Sequence, residues 1–127
     1  MGNYLHFLEA ARLIWLAYPA GISIAGLQKP EKIYMHNTNL LYAMAYSSPS
    51  PGTIREVFFY NHLMVDHRVN IPPKGDFLID DTYLFEIGGK NKSASQITGI
   101  PESYVVKDDI EYPAGKNFPL WLFGFIY

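Results

Sequence analysis

Apolar positions along the first third of the chain follow a helical rhythm. Leu5, Leu8, Ala11 and Trp15 recur on one face behind Asn3, a good N-cap, and Pro19 and Gly21 end that helix. Ile22 to Leu27 then reads as a short strand, Gln28-Lys29-Pro30 as a turn, and Lys32 to Met35 as a second strand. A helix followed by a hairpin is the back half of a winged-helix unit. Its front half would precede Met1, so the chain reads as cut from something longer. Asn37 or Thr38 is placed to cap a helix through Leu40, Leu41, Met44 and Ala45. The Pro-rich stretch Ser47 to Gly52 is a loop, and Thr53-Ile54-Arg55-Glu56 has the spacing of a capping box. The helix it opens, Ile54 to about Val65, is apolar on most faces and is expected at the centre of the fold.

Further on the period changes to two. Asp76 to Asp80 and Tyr83 to Ile87 read as a β-hairpin around an acidic turn, and Gly88-Gly89 break the pattern. Ser93 or Ser95 opens a short helix near Gln96, and Tyr104-Val105-Val106 is another strand. The apolar tail Phe118 to Tyr127 reads as a buried closing strand.

Composition narrows the class. Hydrophobic residues make up 49% of the 127 and charged residues 17%, which excludes a disordered chain. Aromatics at 16% imply a dense core and an apolar surface that needs a partner. The formal charge of -2 leaves no sequence-wide footprint for nucleic acid. Without cysteine there is no disulfide scaffold, thiol catalysis or Cys-containing zinc site. The longest apolar run, Leu13 to Leu27, is broken by Pro19, Gly21, Ser23 and Gly26 and is too short to span a membrane. No basic region precedes it, and His6 stands where a myristoylation signal needs Ser or Thr, so a cytoplasmic protein without membrane contact is expected.

The hairpin carries the most informative chemistry. If its loop is Asp80-Asp81-Thr82, Asp76 lies opposite Glu86 on one face, and like charges there repel unless something neutralises them. A Mg²⁺ or Mn²⁺ ion on one or two carboxylates would do so. If the loop is only Asp81-Thr82, the two carboxylates face opposite sides and no such site forms. Glu56 adds either a third carboxylate or the second half of the capping box. Lys90 is either a cation for a phosphate or a loop lysine beside two glycines. Gln96 is either a substrate-orienting amide or an ordinary polar helix residue.

Other motifs carry less. Gly89-Lys90 and Gly115-Lys116 lack the earlier glycine of a phosphate loop, with Leu84 and Ile110 in its place, so no nucleotide site is readable. His62 and His67 are five apart, one too many for a shared helix face, and His6, His36, His62 and His67 read as structural. No G-x-S-x-G elbow occurs.

Several segments together resemble a known family. They are Lys32-Ile33-Tyr34-Met35 through Leu41, Gly52-Thr53-Ile54-Arg55-Glu56 through Leu63, Gly75-Asp76-Phe77, and Phe85-Glu86-Ile87-Gly88-Gly89-Lys90. In order and spacing they resemble the C-terminal domain of unknown function carried by a large family of prokaryotic AAA+ ATPases. The ending Pro119-Leu120-Trp121 to Tyr127 is similar as well, and Tyr4 to Trp15 is similar to the last helix of the preceding winged-helix module. The resemblance implies an α/β fold of restriction-endonuclease type, a mixed central sheet flanked by helices, over residues 36–127. A winged-helix remnant would occupy residues 1–35, and the ATP site would lie in a missing upstream domain.

Carried over from that nuclease pattern, Glu56 matches the helix glutamate, Asp76 the first strand aspartate, and Glu86 the acidic residue of E-x-K. The lysine belongs at position 88, where this chain has Gly88. Lys90 stands about 6–7 Å further along unless a bulge at Gly88-Gly89 recovers it. The usual aspartate after the first strand is replaced by His36 or Asn37. The expected role is therefore a non-catalytic binding, targeting or self-association module of the ATPase, with the upstream domain or a second copy as partner. The alternative is a metal-dependent phosphodiesterase on DNA, with Asp76 and Glu86 holding Mg²⁺ or Mn²⁺, Glu56 assisting and Lys90 steadying the phosphate. A third reading, DNA binding without cleavage, needs Lys90, Lys92, Lys107 and Lys116 on one face.

Overall fold

The computed structural model describes residues 2–21 and 29–126. It is a mixed α/β fold with a two-stranded ribbon and a five-stranded mixed sheet. Helix α1 (Gly2–Ala10) stops earlier than its apolar spacing predicts. Arg12 adopts φ 59, the Leu13 N–H bonds the Leu8 carbonyl and the Arg12 N–H the Glu9 carbonyl. Those two bonds form a Schellman cap, which terminates the helix without a glycine. Trp15, assigned to that helix by spacing, lies instead in β1 (Ile14–Ala17), which pairs antiparallel with β2 (Lys32–Met35). Lys32 to Met35 is a strand as expected, but its partner is β1; the strand expected at Ile22 to Leu27 lies outside the described residues.

Helix α2 (Thr38–Met44) is capped by Asn37, whose Oδ1 accepts from the Leu40 N–H at 2.7 Å. Helix α3 (Pro51–Leu63) starts one turn before the expected position. Its N-cap is Ser50, whose Oγ accepts from the Thr53 N–H at 3.2 Å, and Pro51 at the first position loses no hydrogen bond there. This frees Glu56 from the capping box. Its side chain is available elsewhere.

The large sheet runs β3 (Val69–Asn70), β4 (Phe77–Ile79), β5 (Tyr83–Gly88), β6 (Ser103–Lys107) and β7 (Asn117–Pro119) in spatial order. The first three strands are antiparallel, and β5, β6 and β7 are parallel. Only the first two residues of the expected tail strand, Phe118 and Pro119, exist as such. After Pro119, which has no N–H to extend a ladder, Leu120–Phe125 winds into a 3₁₀ helix that packs on α3. Gly124 permits this, since a Cβ there would sit 3.1 Å from the Phe58 ring.

One core spans both sheets. Ala17 and Tyr34 of the ribbon, Val57, Phe59, Tyr60 and Leu63 of α3, and Phe77, Ile79, Ile87 and Val106 of the sheet form a single buried cluster. The Trp15 indole donates to Asn61 Oδ1 at 2.8 Å, and Asn61 Nδ2 donates to the Val57 and Met35 carbonyls, tying α3 to the ribbon. A smaller cluster of Leu84, Ile97 and Val105 lies on the other face of the sheet, beneath the 3₁₀ turn Ser95–Ile97. Among the described residues no helix is long and apolar enough to cross a membrane.

Candidate functional site

The β4–β5 register settles the hairpin question left open by the sequence. Ile79 pairs with Tyr83 and Phe77 with Phe85, so the loop is Asp80-Asp81-Thr82; the paired ladder ends at Phe77, and Asp76 stands just before it. The Asp76 N–H bonds the Phe85 carbonyl, and Asp76 Oδ2 accepts from the Ile87 N–H at 2.7 Å. Strand alternation then puts Leu78, Leu84 and Glu86 on the face of the smaller cluster. Phe77, Ile79, Phe85 and Ile87 face α3. The acidic turn is tied back to β3. Asp80 accepts from the Arg68 N–H at 2.9 Å and pairs with His67 at 2.7 Å, which holds the Asp80 carboxyl below its ordinary range.

Glu86 is only 1% exposed. Its Oε1 lies 2.8 Å from Lys92 Nζ, and its Oε2 has no hydrogen-bond partner. Lys92 arrives through a tight turn in which its N–H bonds the Gly89 carbonyl. That reversal leaves Lys90 exposed at the corner and folds Lys92 back across Gly88. A Cβ on Gly88 would fall 2.5 Å from Lys92 Cγ and 2.6 Å from its Cβ and Cδ. The lysine stem therefore occupies the volume that a side chain at position 88 would fill. The cation that meets Glu86 is therefore Lys92, four residues beyond position 88, and not Lys90. Gly-Gly followed by Lys-Asn-Lys was the available signal, since a turn on two glycines returns the second lysine rather than the first.

Glu56 approaches from α3. Its carboxyl is pushed upward by burial, opposed by Lys32 at 3.5 Å and pushed further by the neighbouring Asp76. The charges of Glu86, Asp76 and Glu56 all act on the Lys92 ammonium, which the hydrogen bond to Glu86 chiefly holds above its usual value. Glu56, Asp76 and Glu86 are thus brought to one locality, with Lys92 and Lys32 as its cations. Tyr34 and Lys32 line a cavity of about 300 Å³ together with Glu56, and the buried Tyr34 hydroxyl has no partner.

The other expected residues lie apart. Gln96 is exposed in its 3₁₀ turn. Lys116 sits over the Tyr104 ring, 6.0 Å from its centroid. His36 stacks on Trp15, His62 bonds the Phe58 carbonyl, His67 pairs with Asp80, and His6 lies 3.9 Å from Glu9.

Among the described residues no three His, Asp or Glu side chains converge as a ready-made metal cage. A hard cation such as Mg²⁺ needs less than that: one or two carboxylates, with water and substrate oxygens completing the shell. Glu86, with its unpartnered Oε2, and Asp76, whose charge also reaches the Lys92 ammonium, are oxygen donors of the kind that requirement names.

The two buried phenols set an alkaline limit on stability. Burial pushes the Tyr34 hydroxyl far upward, with Glu56 and Asp76 adding to it, and burial also raises Tyr60. A raised folded-state value contributes stability fully present below the unfolded tyrosine pKa of about 10, and lost as pH climbs beyond it. Thermal melts are expected to be flat with respect to these groups up to about pH 9.5 and to fall steeply above about pH 10. Tyr34→Phe should blunt that fall; an unchanged alkaline slope would show that Tyr34 does not contribute.

No protein-family model matches the chain, and no curated protein or solved structure matches it either.

Proposed function

We propose that the Glu56–Asp76–Glu86–Lys92 cluster is a divalent-cation-dependent phosphodiester site on a restriction-endonuclease-like domain, acting on DNA. The observation that carries this reading is the buried Glu86 with the Lys92 ammonium delivered to it across Gly88, and Asp76 bonded to the backbone of Phe85 and Ile87 on either side of it. It removes the main sequence argument against catalysis, the lysine absent from position 88. In this reading Asp76 and Glu86 hold Mg²⁺ or Mn²⁺. The bound ion would polarise the phosphate and acidify a water. Lys92 offers its charge to the phosphate oxygens. Glu56, with its carboxyl raised by burial, is suited to take up a proton near the attacked phosphate.

The test is cleavage of linear and branched DNA by the purified chain with Mn²⁺. Activity should vanish with chelator and in Glu86→Gln, and should persist in Lys90→Ala, whose side chain points to solvent. Salt-sensitive DNA binding that survives Glu86→Gln without cleavage would instead mark a binder.

A second reading rests on a different surface. Tyr83, Phe85, Tyr104, Phe118 and Phe123 line an apolar hollow of about 270 Å³, and Trp121 and Phe125 beyond it are 51% and 68% exposed. Such a patch suits the non-catalytic role, docking onto the upstream domain of an AAA+ ATPase to which a winged-helix remnant and this domain would belong. Cleavage-dead protein that still alters ATPase turnover would favour it.

A further inference from the structure

We infer that Lys92 is a tethered occupant of the cation position, leaving Glu86 when a divalent cation binds and returning when it departs; this rests on the proposed cation site. Three observations carry it. The Lys92 ammonium lies 2.8 Å from Glu86 Oε1, and Asp76 and Glu56 also attract it, so it sits where the fields of three carboxylates add. It leaves a buried oxygen unpartnered there, Glu86 Oε2. A lone ammonium satisfies one side of a carboxylate; a doubly charged ion with its own waters can reach both oxygens of it.

The third observation is the ease of departure. Glu86 is buried, but the Lys92 side chain is 35% exposed and its stem lies against Gly88. An outward swing carries the ammonium from that glycine surface toward solvent. It also puts a freed ammonium at the mouth of the site, where an incoming phosphate would meet it. In the absence of metal the same lysine neutralises a buried charge that is otherwise costly. The site is thereby kept closed rather than half-built.

Calorimetric Mn²⁺ titration of the whole chain separates the possibilities. Lys92→Met keeps the stem and removes the charge, and it is expected to bind Mn²⁺ at least about tenfold more tightly than wild type, because the competitor is gone. Equal or weaker binding in Lys92→Met would overturn the inference while leaving the cation site standing. Absence of binding in both proteins at millimolar Mn²⁺ would overturn the site and the inference together. Should Lys92→Met not fold, the wild type provides a second readout. Labelling of Lys92 by an amine-reactive reagent, mapped by peptide mass, should rise several-fold on saturation with Mn²⁺ while that of exposed Lys90 stays constant. Unchanged Lys92 labelling at saturation would likewise overturn it.

Discussion

Gly88→Ala is expected to destabilise the protein by about 2–4 kcal/mol, although alanine is ordinarily the better residue in a strand. The new methyl carbon would lie 2.5–2.6 Å from Lys92 Cβ, Cγ and Cδ. Those atoms are the stem rather than the mobile tip, so the lysine cannot sidestep and must leave. Glu86, 1% exposed, then loses its counter-charge. Breaking a buried pair costs about 3–5 kcal/mol; the partly open Lys92 end reduces this, and the lower chain entropy of alanine offsets roughly another 0.4–1 kcal/mol. Urea unfolding measures the result. The informative companion is Gly88→Lys combined with Lys92→Gly, which returns the cation to the strand position two residues after Glu86. That pair of changes should recover much of the loss. A Gly88→Ala protein as stable as wild type would mean that the Glu86–Lys92 contact carries no weight.

Phe59→Ala should cost about 3–5 kcal/mol, a large share of the 5–15 kcal/mol typical of a domain. Phe59 is fully buried and its ring lies 5.3 Å from those of Phe77 and Phe85 and 5.0 Å from that of Phe123. It therefore joins α3, the hairpin and the C-terminal 3₁₀ helix in one contact. Its removal leaves a cavity that no single neighbour can fill, because each belongs to a different element. The denaturant midpoint should drop and near-ultraviolet ellipticity weaken, whereas Phe125→Ala, at a 68% exposed ring, should stay within about 0.5 kcal/mol of wild type. Equal effects at the two positions would contradict the central role given to α3.

Much of this fold can be read in short windows. The Asn37 cap, the central apolar α3, the hairpin turning at Asp80-Asp81-Thr82, and the strand at Tyr104-Val105-Val106 all follow from caps, turns and alternation within a few residues. Where reading failed, a longer-range constraint outweighed the local one. Trp15 keeps helical spacing with Leu5 and Leu8, yet the Arg12 cap turns the chain so that Trp15 pairs in a ribbon and reaches Asn61. The apolar tail satisfies a strand's composition, but packing on α3 turns it helical after Pro119.

The candidate site divides along the same line. Glu56 and Glu86 lie on regular elements, where period and register place them, and Asp76 stands one residue before a strand, so all three are visible as candidates before any coordinates. Its cation comes from a loop. Whether Lys90 or Lys92 meets Glu86 depends on where a turn reverses and on the empty volume above Gly88. Neither quantity leaves a periodic trace in the chain, because both are set by contacts between segments that alternation and capping do not couple. Charge and hydrophobic pattern are properties of neighbours in sequence; the pairing of one buried carboxylate with one lysine is a property of neighbours in space.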